Sequence, residues 1–244
     1  MRLGILGTAL AVLPLLLWAY DSGPDPNSDG GPGGPAAACA QSGCHTGTAV
    51  NAGGGKIELQ FPNGLTYTPG QKQRIRIVIT DATPTYGYQL SARLSSNETR
   101  GQAGTFTTAG TNQLILCQDG RARAASGTCS VSNPLEFFEH SRPATSNTIE
   151  VDWTPPTNDA GNIRFYVAGV AANNNGQNTG DRVYTANYTL THTIAPESHR
   201  QITTFAGTGA PGVITSSRIL DPVLHLAFVH RPAPPGPPRL CREQ

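Results

Sequence analysis

Alternation of apolar and polar side chains along short runs bounded by turn residues constrains this chain more than any other feature. In Arg74-Ile75-Arg76-Ile77-Val78-Ile79-Thr80, Ile75, Ile77 and Ile79 fall on one face and both arginines on the other. Period two with β-branched residues on one side describes a half-buried strand of an antiparallel sheet. Lys56-Ile57-Glu58-Leu59-Gln60-Phe61 has the same form and closes on the turn Pro62-Asn63-Gly64. Tyr88 to Leu94, Thr148 to Trp153, Ile163 to Val170 and Val183 to Thr191 repeat it, the last after Asn173-Asn174-Asn175-Gly176. Seven or eight such strands without an amphipathic helix predict an all-β fold, an immunoglobulin-like antiparallel β-sandwich. Trp153, Tyr86, Tyr88, Tyr166, Tyr184 and Tyr188 are expected in its core and rim.

The flanks read differently. Residues 3 to 19 are almost entirely apolar after Arg2 and give way to a polar, turn-rich stretch, so residues 1–20 read as a signal peptide or N-terminal anchor. Nothing later is apolar for long enough to span a bilayer, which predicts an extracytoplasmic mature chain without a membrane span: periplasmic, cell-surface or secreted. Residues 21–38, rich in Gly, Pro and Asp, are expected to form a flexible leader. Residues 39–194 form the sandwich, and 195–244, ending in a Pro-rich run, a weakly ordered tail. Lys+Arg 17 against Asp+Glu 16 leaves a formal charge of +1 and no basic run interleaved with aromatics, so nucleic acid is not an expected partner.

Chemistry concentrates at Cys39-Ala40-Gln41-Ser42-Gly43-Cys44-His45. Two thiols followed at once by an imidazole can hold a haem by two thioether bonds while the histidine ligates iron, although the usual spacer is two residues and here it is four. The competing reading is a small disulfide loop between Cys39 and Cys44. Cys117 and Cys129 bracket a polar loop and are expected to form a disulfide, leaving Cys241 over. If haem is held, the only methionine, Met1, belongs to the signal, so a second histidine is the axial candidate. His140, after Phe137-Phe138, is the best placed of these. His192 closes the last strand, and no serine sits in a nucleophile elbow.

The motifs WAYDSG, CAQSGCHTG, YTPGQKQRIRIVITDA, YGYQLSARL, LEFFEHSRP, WTPP and FYVAGVAANNNGQNTGDRVYT, in that order over roughly residues 18 to 194, resemble the bacterial extracytoplasmic family called choice-of-anchor V. That family is distantly similar to the reeler domain of animal extracellular proteins. The resemblance implies a β-sandwich with an N-terminal haem-type motif, at the positions of Cys39, Cys44 and His45, and C-terminal anchoring that varies between members. Two readings follow. The first is an exported monohaem c-type cytochrome-like protein that relays single electrons to a redox partner, with haem c as cofactor, His45 and His140 on the iron, and no enzymatic reaction. The second is a haem-free secreted binding or adhesion module with a Cys39–Cys44 disulfide.

Overall fold

The computed structural model describes residues 22–41 and 44–193. The signal and the tail from residue 194 onward lie outside the described residues. Among them the only helical element is a 3-10 turn at Ala38–Ala40; the rest is strand and turn. The strands are β1 (Thr46–Gly47), β2 (Lys56–Gln60), β3 (Thr66–Tyr67), β4 (Gln73–Thr80), β5 (Thr85–Leu94), β6 (Thr105–Thr108), β7 (Gln113–Cys117), β8 (Glu136–His140), β9 (Thr148–Thr154), β10 (Ile163–Ala172) and β11 (Thr179–His192). They form two sheets, β1-β11-β10-β5-β8-β7 with β3 also on β11, and β2-β4-β9-β6. Pairing is antiparallel except where the two-residue strands β1 and β3 run parallel to β11. Each alternating run from the sequence is a strand, and β6, β7 and β8 complete the sandwich.

The register explains the alternation. Ile75, Ile77 and Ile79 of β4 are fully buried, and Arg74 and Arg76 face water, paired with Asp152 and Glu150 of β9. Trp153 fills the centre, stacked edge-on against Phe165 at 4.9 Å, with its indole N–H donated to the Ala103 carbonyl. A buried Trp whose one polar atom is satisfied gains the full apolar burial of its ring. Gly169 lies where the sheets approach closely: a Cβ there would stand 2.6 Å from Ile57 Cδ1 and 2.9 Å from Ile79 Cδ1.

The loop after β7 is stapled by Cys117–Cys129 and carries Arg123 inward. Arg123 pairs with Glu136 at 3.1 Å, both almost wholly buried. The Glu136 carboxylate accepts the Phe106 amide at 2.9 Å and Arg123 donates to the Phe106 carbonyl at 2.5 Å. Two side chains thus occupy the rim of β6 where a further strand would bond, which blunts a sheet edge.

The Gly/Pro-rich leader is where the structure departs from expectation. Residues 22–41 are not a flexible leader but a strap packed on the outer face of the larger sheet. Successive strand residues point to opposite faces, so Tyr88, Leu90 and Ala92 of β5 enter the core while Gln89, Ser91 and Arg93 meet the strap. All six are buried. In β10, Ala168 and Val170 likewise face outward, and with Val183, Ala38 and Cys39 they make a second, smaller apolar cluster. Asp29 of the strap is fully buried, its carboxylate bonded by both Arg93 and the Ser91 hydroxyl. The domain is therefore strap on sheet on sheet.

Candidate functional site

The strap ends in the cysteine motif, so the motif's geometry is set by the outer face of the larger sheet. The 3-10 turn Ala38–Ala40 presses Cys39 against Ala168, Val170 and Val183. The Cys39 thiol is free, 5% exposed, and donates to the Ser28 carbonyl at 3.5 Å. Burial, reinforced by the carboxylates of Glu139 and Asp29, pushes its pKa up to about 12. A thiol so held is protonated and unreactive at neutral pH. Cys44 is disulfide-bonded, but not to Cys39. The Cys39–Cys44 bridge of the competing reading does not form, because Cys39 belongs to the apolar cluster under the strap. Cys241 lies outside the described residues.

His45 follows on the same outer face. Its Nδ1 stands 2.7 Å from Oδ2 of Asp181, the side chain of which is almost fully buried at the start of β11. The other carboxylate oxygen of Asp181 accepts the Asn173 amide at 3.1 Å, closing the β10–β11 turn. Thr46 continues the attachment, its amide donating to the Asn178 carbonyl at 2.6 Å. Motif, turn and β11 are thereby fastened together.

His140 is elsewhere. In β8 it shares the inner face with Phe138, beside Tyr88, and its Nδ1 accepts the Tyr88 amide at 3.1 Å. Gly87 gives it room, since a Cβ there would stand 2.9 Å from His140 Cε1. His45 is bonded to Asp181 of β11 and His140 lies against the backbone of β5 at Tyr88, with β10 and β5 between β11 and β8. The two imidazoles do not meet on one iron. His192 pairs with Asp159 at 3.2 Å at another end of β11.

A covalent haem needs both motif sulfurs. Here one is sealed in an apolar cluster and the other is spent in a disulfide, so the residues do not fit thioether attachment. His45 alone is compatible with ligation, since a carboxylate on Nδ1 is the usual orienting partner of a metal-bound imidazole. Among the described residues, however, no three His, Cys, Asp or Glu side chains cluster to hold a metal ion.

Three features were not read from the sequence. One is the buried Asp29–Arg93 pair, with Arg93 also lying over the rings of Phe137 and Tyr166 at 5.5 and 5.3 Å. The second is Glu139, which accepts the Gln89 side-chain amide at 2.6 Å and is held well above the usual carboxylate range by burial. The third is an open groove of about 520 Å³ between the turn 97–105 and the stapled loop, lined by Asn97, Arg100, Gln102, Thr105, Ser130 and Pro134. Val131 stands beside it, 94% exposed. Arg100 fixes this tip by donating to the Ser132 carbonyl at 2.7 Å.

No curated protein matches the chain. Among solved structures, the human F-spondin reeler domain is similar at 17% identity and a TM-score of 0.43, over 61% of this chain and 94% of that one. The second type II cohesin module of the ScaA scaffoldin of Acetivibrio cellulolyticus is similar at 11% identity and 0.29, over 47% and 75%. BslA, a bacterial hydrophobin, is similar at 11% identity and 0.27, over 59% and 98%. The model of the Reeler domain matches residues 37–175, more than half of the chain, from the cysteine motif through β10. The chain belongs to the Reeler domain family.

Proposed function

We propose that this protein is a haem-free β-sandwich module that works outside the cytoplasm by binding, as an adhesion or recognition domain, rather than by electron transfer or catalysis. The observation that carries this reading is the use made of sulfur. Cys117 and Cys129 are joined, Cys44 is disulfide-bonded, and the thiol of Cys39 is buried as a core group. Disulfides of this kind persist in oxidising compartments, in keeping with the apolar N-terminal segment and with the resemblance to the choice-of-anchor V family. Two buried ion pairs, Arg93 with Asp29 and Arg123 with Glu136, and the partly exposed Arg182–Asp81 pair join elements of the fold. The surface offers an open groove that combines polar side chains with a displayed valine, features suited to recognition.

The test is expression with export in a host that has c-type haem maturation. The intact protein should carry no haem mass, and peptide mapping without reduction should find Cys117 linked to Cys129 and Cys39 unlinked. In the native state Cys39 should resist iodoacetamide at pH 8, where about one thiol in ten thousand is ionised at a pKa of about 12. It should alkylate fully in denaturant. A haem adduct that survives denaturation would return the motif to the cytochrome reading.

A further inference from the structure

The outer face of the larger sheet is built like a peptide-binding groove, and residues 24–32 occupy it as a ligand would. Gln89 reads the backbone from both sides: its Oε1 accepts the Ser28 amide at 2.7 Å, and its Nε2 donates to the Asp25 carbonyl at 3.1 Å. Arg93 donates to the Pro32 carbonyl at 2.7 Å and clamps the Asp29 carboxylate at 2.8 and 3.0 Å. Ser91 completes the carboxylate pocket. These contacts recognise an extended, Gly/Pro-rich segment with one carboxylate, and none depends on the strap being covalently joined to the same chain.

Two further observations bear on exchange. An emptied groove would leave the Arg93 guanidinium without the carboxylate that both of its Nη2 contacts hold, a vacancy that another carboxylate fills. The segment joining strap to body is also strained. Ala38 has φ +47°, a left-handed conformation that costs an L-residue roughly 1–2 kcal/mol. It follows the Gly33-Gly34-Pro35 turn. Strain in a short hinge favours the extended, exchanged form of an element.

We propose that the groove on Gln89, Ser91 and Arg93 accepts the strap of a second copy of this chain, so that two molecules exchange residues 22–38 and are joined by the same contacts that close the monomer. This deepens the binding reading by naming a partner, and it stands independently of whether haem is attached.

The test uses the proximity of Gly30 to β11. A Cβ on Gly30 would lie 3.6 Å from the Thr185 Cβ, within the roughly 3.5–4.5 Å a disulfide spans. The double variant Gly30→Cys/Thr185→Cys should form an intrachain disulfide, and failure to form it would remove the strap from its seat and overturn the proposal. Gly30→Cys and Thr185→Cys chains, mixed at high concentration, warmed and oxidised, should form a disulfide between different chains. That mixed dimer should exceed both like-with-like dimers. Only monomer, or dimers in random proportion, would overturn the proposal. Because Gly30 has φ +82° and a cysteine there strains the backbone, the unmodified full chain supplies a second measurement. A fluorescent peptide of residues 24–34 should bind it saturably, and the same peptide with Asn at position 29 should bind about a hundredfold more weakly. Equal binding of the two peptides, or none, would also overturn it. A haem adduct in the export experiment would sink the haem-free reading and leave these outcomes unchanged.

Discussion

Asp29 and Arg93 lie 64 residues apart in sequence and 2.8 Å apart in space, and neither is accessible to water. The pair fixes the N-terminal strap to the middle of β5. Because both charges are desolvated, the loss of one is worse than the loss of both: an isolated buried charge costs about 3–5 kcal/mol, while a well-packed apolar pair can be neutral. Asp29→Ala should therefore destabilise by about that amount in urea titration. Asp29→Leu combined with Arg93→Met should recover most of it. A loss under about 1 kcal/mol for the single variant would mean the strap is not held by this contact.

Glu139 gives a pH prediction. It is 1% exposed, and burial lifts its pKa well above the ordinary 4.5, with Asp25 adding to the shift and the Gln89 amide opposing it. A group whose folded pKa is raised contributes most below its unfolded value, and that contribution drains away as pH rises through the folded value. Glu139→Gln keeps the shape and removes the titration. Its melting temperature should match wild type near pH 4 and exceed it increasingly at higher pH. Parallel pH profiles would show that Glu139 is ionised at no cost in the fold.

At Gly169 the sheets approach too closely for a side chain. Gly169→Ala should overpack the contact with Ile57 and Ile79 and cost about 1–3 kcal/mol. The companion change Ile79→Val, made together with it, should return part of that loss in the same denaturation assay.

The Cys117–Cys129 staple closes a loop with a sequence separation of 12. In the chain-entropy model a loop of this size contributes about 3 kcal/mol. Cys117→Ser with Cys129→Ser should lower the denaturation midpoint accordingly. It should also loosen Arg123, so that hydrogen exchange at the Phe106 amide, which Glu136 caps, accelerates more than exchange in β10.

Alternation made the sandwich legible because one face of β4 meets water, and its arginines report that face directly. It failed for the strap, whose residues carry no periodicity of their own: Pro, Gly and Asp read as loop whether or not something holds them. The signal lay in the partner strand. Phe165-Tyr166-Val167-Ala168-Gly169-Val170-Ala171-Ala172 is a nearly continuous apolar run, the mark of a strand buried on both faces. In β5, Gln89, Ser91 and Arg93 look like a solvated face because a polar stripe against water and one against a polar strap have the same composition. The cysteine motif misled in a related way. Its spacing describes which atoms can approach each other along the chain, whereas the fate of Cys39 is decided by Val170 and Val183, more than a hundred residues further on.

That separation sets an order of events for a chain delivered across a membrane N-terminus first. His45 and Thr46 must wait for partners 136 and 132 residues later, and contacts of such span form late. Until β11 arrives, part of the cluster that buries Cys39 is missing, and Cys44 stands only five positions away. The bridge absent from the finished fold is then the easiest one to make. A Cys39–Cys44 loop closed at that stage would have to open before Cys39 could enter the apolar cluster under the strap.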